Sequence, residues 1–262
     1  MTQMPFRYAE RLPCAALLPW FTTWWEFEVR EGAPPMHHVP PDGCTSILVV
    51  VAGPIAGMAL VTGPWLEPLS VPVFPGTRYL GARLRPGAAR TVLGVVPEEL
   101  VNRSAPAEAM IGELAGRLVG ALVRCPDVDA AAAFMEEIFR GEIPRLTMPD
   151  PLADRAAIRL MESRGELAIA VLARELQTSE RTLLRRFKWA TGITPKQFAR
   201  IRRLLAATWA AVDGVGSWGQ IAATAGYADQ PHMHHDFVDL TGLKPVEFGS
   251  RVLATEHDQV RR

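Results

Sequence analysis

The C-terminal half of this 262-residue chain contains one pattern twice. Phe187-x4-Gly192-x2-Pro195-x2-Phe198 recurs as Phe237-x4-Gly242-x2-Pro245-x2-Phe248, with all four positions displaced by 50 residues. Such a frame calls for two copies of one backbone, a helix closed by Gly and a following helix opened by Pro. Upstream of each frame lies a short helix, a turn and a second helix. The first copy reads Val171-Leu172-Ala173-Arg174-Glu175-Leu176, then Gln177-Thr178-Ser179, then Glu180–Trp189. The second reads Ile221-Ala222-Ala223-Thr224-Ala225, then Gly226-Tyr227-Ala228-Asp229, then Gln230–Thr241. Two helices joined by so short a turn are the geometry that lays a second helix in a DNA major groove. Ala173 and Ala222 let the helices cross closely, and Gly226 supplies a positive φ at the helix end.

The helix starts are signed as well. Ser179 and Asp229 are N-caps, and Thr194-Pro195-Lys196-Gln197 and Ser217-Trp218-Gly219-Gln220 have capping-box spacing. Asp150-Pro151 opens a helix ahead of the first unit, and one long helix over Pro195–Val212 joins the two units. Two positions depart from the repeat: Gln177 stands where the other copy has Gly226, and Lys244 is a poor N-cap beside Thr194. Both predict a less ideal turn within the same fold.

These residues resemble the DNA-binding domain of AraC/XylS-type transcription regulators over roughly residues 152–250. Gly226-Tyr227-Ala228-Asp229-Gln230-Pro231-His232-Met233-His234-His235-Asp236-Phe237 is similar to that family's second-unit signature, and Thr241-Gly242-Leu243-Lys244-Pro245 closes it. The resemblance implies double-stranded operator DNA as partner, with Arg181, Leu184 and Arg185 facing bases. Arginine suits bidentate contact with guanine. Ser179, Thr182, Arg186 and Lys188 are expected at phosphates, where contacts position without specifying sequence. In the second unit the resemblance turns Gln230, His234 and His235 toward DNA, His235 standing where the family usually has Arg.

Charge supports this assignment unequally. The whole chain balances 28 Lys plus Arg against 28 Asp plus Glu, but residues 1–149 carry 12 basic and 15 acidic groups, and residues 150–262 carry 16 and 13. Residues 181–203 hold eight cations (Arg181, Arg185, Arg186, Lys188, Lys196, Arg200, Arg202, Arg203) and no acid, the footprint a phosphate backbone needs. Residues 229–251 hold only Lys244 and Arg251, against Asp229, Asp236, Asp239 and Glu247.

The first half has another character. Ser46–Ala52, Val71–Phe74 and Tyr79–Leu84 are expected strands, separated by turns at Pro41-Asp42-Gly43, Gly53-Pro54, Gly63-Pro64, Pro75-Gly76 and Pro86-Gly87. Helical spacing then predicts closing helices over 106–123 and 127–140. Val39-Pro40-Pro41-Asp42-Gly43-Cys44 and Gly81-Ala82-Arg83-Leu84-Arg85-Pro86-Gly87-Ala88 resemble the cupin-like sensor domain that precedes this DNA-binding module. The expected architecture is α+β: a cupin-like β-barrel with two closing helices over residues 1–145, and an all-α double helix-turn-helix domain over 150–251. Gly141–Pro149 reads as a linker and EHDQVRR, the last seven residues, as a frayed tail.

The sequence argues against other chemistries. His37-His38 are adjacent and lack the His-x-His and later Glu of a cupin metal site, and His232, His234 and His235 have no completing Cys or carboxylate set, so neither metal nor cofactor is expected. No catalytic signature such as GxSxG, HExxH or a P-loop is present, so no enzyme is expected. A cupin-type enzyme fused to a DNA-binding module is the weakest alternative. An alkyl-acceptor role would need an activated thiolate, and Cys44 beside an apolar strand reads as buried and structural. Trp20, Trp24, Trp25, Trp65 and His37 are candidates for a small-molecule effector pocket. The closing helices are candidates for a homodimer interface, with RNA polymerase a further partner. Cys14, Cys44 and Cys125 form no CxxC, and neither a signal peptide nor an apolar run of membrane-spanning length is apparent, which predicts a cytoplasmic bacterial regulator. A ligand-independent regulator with a structural N-terminal domain is the main alternative.

Overall fold

A computed structural model describes residues 4–53, 56–214 and 216–258. Its first half is built from β1 (Phe6–Arg11), β2 (Phe21–Val29), β3 (Met36–His38), β4 (Ser46–Ala52), β5 (Ala59–Thr62), β6 (Ser70–Pro72), β7 (Arg78–Leu84) and β8 (Ser104–Pro106). Seven strands form one sheet in the order β8-β5-β4-β7-β2-β1-β9, where β9 is Thr255–Asp258 from the far end of the chain. β3 and β6 form a separate antiparallel ribbon. The predicted strand at Val71–Phe74 is therefore the ribbon partner of β3. Pro54 of the expected Gly53-Pro54 turn lies outside the described residues.

The sheet alternates its faces as period-two geometry requires. Ile47 and Val49 of β4 and Leu80, Ala82 and Leu84 of β7 are buried in one core, joined by Phe21 and Trp24 of β2, which share a face across a register shift between Phe21 and Thr23. That core is closed by α3 (Glu113–Leu122) and α4 (Val128–Glu142), after the short helices α1 (Ala89–Leu93) and α2 (Glu108–Ile111). The helix predicted over 106–123 is broken at Gly112, where φ is +49° and ψ is −127°. Asp127 caps α4 by accepting from Ala130 N at 2.9 Å.

The second half is helical, with the predicted caps in place. It runs α5 (Pro151–Glu162), α6 (Ile169–Glu175), α7 (Glu180–Thr191), α8 (Pro195–Val212), α9 (Trp218–Thr224), α10 (Gln230–Thr241) and α11 (Pro245–Leu253). Asp150 accepts from Leu152 N and Ala153 N, and Thr194 and Ser217 close capping boxes with Gln197 and Gln220. Lys244 makes no side-chain cap, and the Glu247 carboxylate accepts from its N–H at 3.2 Å instead. Helices α5 to α11 share a second core that also receives Leu66 and Val101 from the first half.

The tail is a correction to the frayed end expected from its polarity. Thr255–Asp258 adds to the sheet as a parallel partner of β1, with Phe6 opposite Thr255 and Ala9 opposite Asp258. Its charges explain the seat: Arg30 pairs with Glu256 at 2.6 Å, and Arg7 and Arg11 each reach Asp258 at 3.4 Å. Residues 259–262 lie outside the described residues. The expected linker is also held. α4 extends to Glu142, Ile143–Arg145 form a 3-10 turn, and Trp20 Nε1 donates to the Thr147 carbonyl at 2.8 Å.

Candidate nucleic-acid interface

Each unit supports its second helix in the same way. Leu183, Phe187 and Ala190 on α7 and Met233, Phe237 and Leu240 on α10 are buried at positions 50 apart. Thr191 Oγ1 donates to the Phe187 carbonyl at 2.9 Å, and Thr241 Oγ1 to that of Phe237 at 2.7 Å. The same oxygens accept from the N–H groups of Ile193 and Leu243. Gly192 and Gly242 then end the helices with φ of +83° and +72°.

The turns before α7 and α10 are alike in kind. Gln177 has φ +52° and Gly226 has φ +72°, and the next N–H donates in each case to an alanine carbonyl, Thr178 to Ala173 and Tyr227 to Ala222, at 3.0 Å. One residue lies between Gln177 and the cap Ser179, and two lie between Gly226 and Asp229. The repeat is thus offset by 49 before the turn and by 50 after it.

On α7 the predicted base-facing residues are free. Arg181, Leu184 and Arg185 are exposed and lie at i, i+3 and i+4, the spacing of one helix face. Ser179 caps α7 by accepting from Thr182 N at 3.2 Å, so both side chains stand at the exposed helix start. Arg186 and Lys188, expected at phosphates, are engaged within the protein. Arg186 places Nε and Nη2 on the Asp150 carboxylate, both at 2.8 Å, and Lys188 Nζ pairs with Glu98 at 2.7 Å. Burial opposes ionisation of Asp150, but Arg186 and the Ala153 and Leu152 amides together hold its carboxyl below the usual aspartate range.

The run of eight cations is thinned further by folding. Arg200 reaches Asp236 at 2.5 Å and Asp239 at 2.6 Å. Arg202 packs near Cys44 and Asp42, its pKa lowered by burial, and Arg203 lies over the Tyr227 ring at 5.3 Å. Among the described residues Arg181, Arg185, Lys196 and Arg202 of the eight make neither an ion pair nor a cation–π contact. Arg202 is set apart by its burial. On α10, Gln230 and His235 are exposed and His234 is half-buried, while His232 sets its ring edge-on to Tyr227 at 5.4 Å.

The first half touches the C-terminal end of α7. Arg90 stacks over Trp189 at 4.2 Å, and Glu98 lies on the 3-10 turn Pro97–Leu100. Arg85 pairs with Asp154 of α5. Sequence reasoning missed these contacts because nothing local marks Glu98 or Arg85 as partners of a helix so distant in sequence.

The effector candidates are dispersed. Trp24 is fully buried and stacks on Phe139 at 5.8 Å, whereas Trp25, its neighbour on β2, points to the opposite face against Tyr8 at 6.3 Å. Trp65 Nε1 donates to Thr62 Oγ1 at 2.9 Å. His37 sits between Phe6 and Phe27, where burial, then His38 and Arg251, push its pKa down to about 4. It lines a cavity of about 70 Å³ with Phe6, Met36, His38 and Arg251, whereas typical ligand pockets measure about 300–1,000 Å³. Burial pushes the Cys44 thiol up to about 12, the opposite of an activated thiolate. Among the described residues no three metal-ligating side chains gather.

Residues 172–251, the segment holding both units, match a family profile described as a helix-turn-helix domain. The C-terminal region is an AraC-type helix-turn-helix domain. Residues 9–106 match a domain of unknown function, DUF6597. Among solved structures the chain is similar to ToxT from Vibrio cholerae, at 12% identity and TM-score 0.48, over 94% of this chain and 97% of that one. It is also similar to the C-terminal domain of AraT, a response regulator from Geobacillus stearothermophilus, at 22% identity and TM-score 0.36, over 38% of this chain and 85% of that one. A third similarity is to the xylose-binding transcription activator XylR, at 17% identity and TM-score 0.35, over 47% and 37% of the two chains. No curated protein matches this chain. No helix among its described residues is long and apolar enough to cross a membrane.

Proposed function

We propose that this AraC-type protein regulates transcription by reading double-stranded operator DNA with α7 and α10 in successive major grooves. The supporting observation is the exposed N-terminal half of α7, with Arg181, Leu184 and Arg185 on one face above a buried Leu183–Phe187 stripe. The connecting helix α8 has 18 residues, a length of about 27 Å, suited to bridging units about 34 Å apart along one face of DNA. Ser179 and Thr182 contact phosphate at the start of α7. Lys188 exchanges Glu98 for phosphate on binding, and Arg186 stays with Asp150. Gln230, His234 and His235 form the second contact set.

We divide the chain into a regulatory domain, 1–145, and a DNA-binding domain, 150–251. The first domain holds the C-terminal end of α7 through Glu98 and Arg90, so a small-molecule effector or homodimerisation there changes how α7 is presented. Contact with RNA polymerase follows where the bound protein raises transcription. Selection of DNA by the full-length protein from a random-sequence library tests the main reading. A motif of two half-sites about 10 base pairs apart is expected, and no enrichment of any sequence would overturn it. Melting the protein against a metabolite panel tests the effector, since a specific ligand raises apparent stability. Unchanged melting across the panel favours the ligand-independent alternative.

A further inference from the structure

Each recognition helix is tied through one arginine to the helix that precedes its unit, by a single carboxylate in the first unit and by two in the second, and the two links have opposite polarity. In the first unit the support supplies the acid: Asp150, the N-cap of α5, accepts both Nε and Nη2 of Arg186 on α7 at 2.8 Å. In the second unit the support supplies the base. Arg200 on α8 donates Nε to Asp236 at 2.5 Å and Nη2 to Asp239 at 2.6 Å on α10. Both pairs join residues 36 positions apart. Arg200 and Asp236 lie 50 positions after Asp150 and Arg186, so the repeat carries the site and only the sign differs.

In both pairs the carboxylate is the more buried member, 11% exposed for Asp150 and 5% for Asp236. A carboxylate so placed is costly unless it is paired, which gives its arginine one fixed seat. The guanidinium is a planar fork, so it fixes the rotation of the facing helix as well as its distance. Arg200 also neutralises acids that would otherwise repel a phosphate backbone along α10. A recognition helix seated on the other support would set Asp150 against Asp236 and Arg200 against Arg186, contacts that like charge opposes.

We propose that Arg200 is the positioning residue of the second recognition helix, setting α10 for DNA through Asp236 and Asp239. The inference rests on the two-groove reading above. The test is selection from a random-sequence DNA library with full-length wild type, Arg200→Met, Arg200→Lys and, as the first-unit control, Arg186→Met. The wild type returns two half-motifs. Arg200→Met keeps the first and loses at least tenfold discrimination at the second. Arg200→Lys, which keeps the charge but not the fork, loses part of the second half-motif. Arg186→Met shows the reverse preference. Thermal melts by circular dichroism accompany each variant, and if Arg200→Met does not fold, Arg200→Lys carries the test. Equal losses at both half-motifs would reduce Arg200 to general stability and overturn the proposal, as would an unaltered second half-motif in a folded Arg200 variant. A wild type returning no paired half-motifs would instead overturn the two-groove reading, which separates the two failures.

Discussion

The two helix-turn-helix units share a backbone and differ in electrostatics. Phe187 and Phe237, Thr191 and Thr241, and Gly192 and Gly242 do the same work at positions 50 apart. Yet α7 offers free arginines, whereas α10 offers glutamine and histidine and carries two aspartates tied to Arg200. Packing and capping hold a fold within narrow limits, while exposed side chains are free to diverge. The first unit is thus suited to anchoring on phosphate, and the second to adding discrimination.

The largest expected effect tests whether the two cores are equivalent. Phe187→Ala and Phe237→Ala each remove a fully buried ring, and each should cost about 3–5 kcal/mol. Urea unfolding measures this, and a large disparity would mean that the second unit is only loosely packed.

DNA affinity sharpens the electrostatic contrast. Arg185→Ala should weaken specific binding by about 1–3 kcal/mol and relax preference at one base pair. His235→Ala should cost less, and His235→Arg should tighten binding by restoring a permanent charge. Titration of binding against salt adds a number. Arg181, Arg185, Lys196 and the released Lys188 predict a slope of log K against log salt of about −4 from this segment, whereas eight cations would give about −7. A slope of about −3 would mean that the Lys188–Glu98 pair stays closed on DNA, and about −7 that the arginine pairs open as well.

Asp150 supports the first unit both as cap and as ion-pair partner. Asp150→Ala should destabilise the protein by about 2 kcal/mol. Because folding lowers the pKa of this carboxyl, its contribution is complete above the ordinary aspartate range and is lost as pH falls through the lower folded value. Melting temperature against pH should therefore fall less steeply on the acid side in Asp150→Ala than in wild type. Parallel acid limbs would show that Arg186 does not stabilise the ionised form.

The smallest expected effect concerns the two turns. Gln177 holds a left-handed conformation that costs a side-chain-bearing residue roughly 1–2 kcal/mol. Gln177→Gly should stabilise the protein by about 1 kcal/mol, whereas Gly226→Gln should destabilise it, a Cβ there meeting Glu166 Cγ at 2.7 Å. Chemical denaturation of both variants checks this, and no gain from Gln177→Gly would mean that the first turn relaxes to suit its residue.

Much of the DNA-binding half was legible because its signals are local. A positive φ at Gly226, a Pro at the first helical position and a Thr–Gln box at 194–197 are each set by residues a few positions apart. The first half was less so. β4 and β7 stood out as apolar runs between turns, but β1 and β2 did not, because Arg7, Glu10, Glu26 and Glu28 interrupt them. Glu10 and Glu26 are nearly buried, and arginines pair with them across the sheet. A polar strand of this kind becomes recognisable only beside its partners.

The sequence by itself determined the repeat, its helix boundaries and caps, and the face of α7 that carries Arg181, Leu184 and Arg185. Each of these follows from backbone preferences and helical spacing, which act over a few residues. The tertiary structure alone decided which charges remain free and where the tail goes. Arg186 finds Asp150 across 36 residues, and Arg7 finds Asp258 across 251. Coulomb attraction depends on distance in space and on burial, and separation along the chain specifies neither.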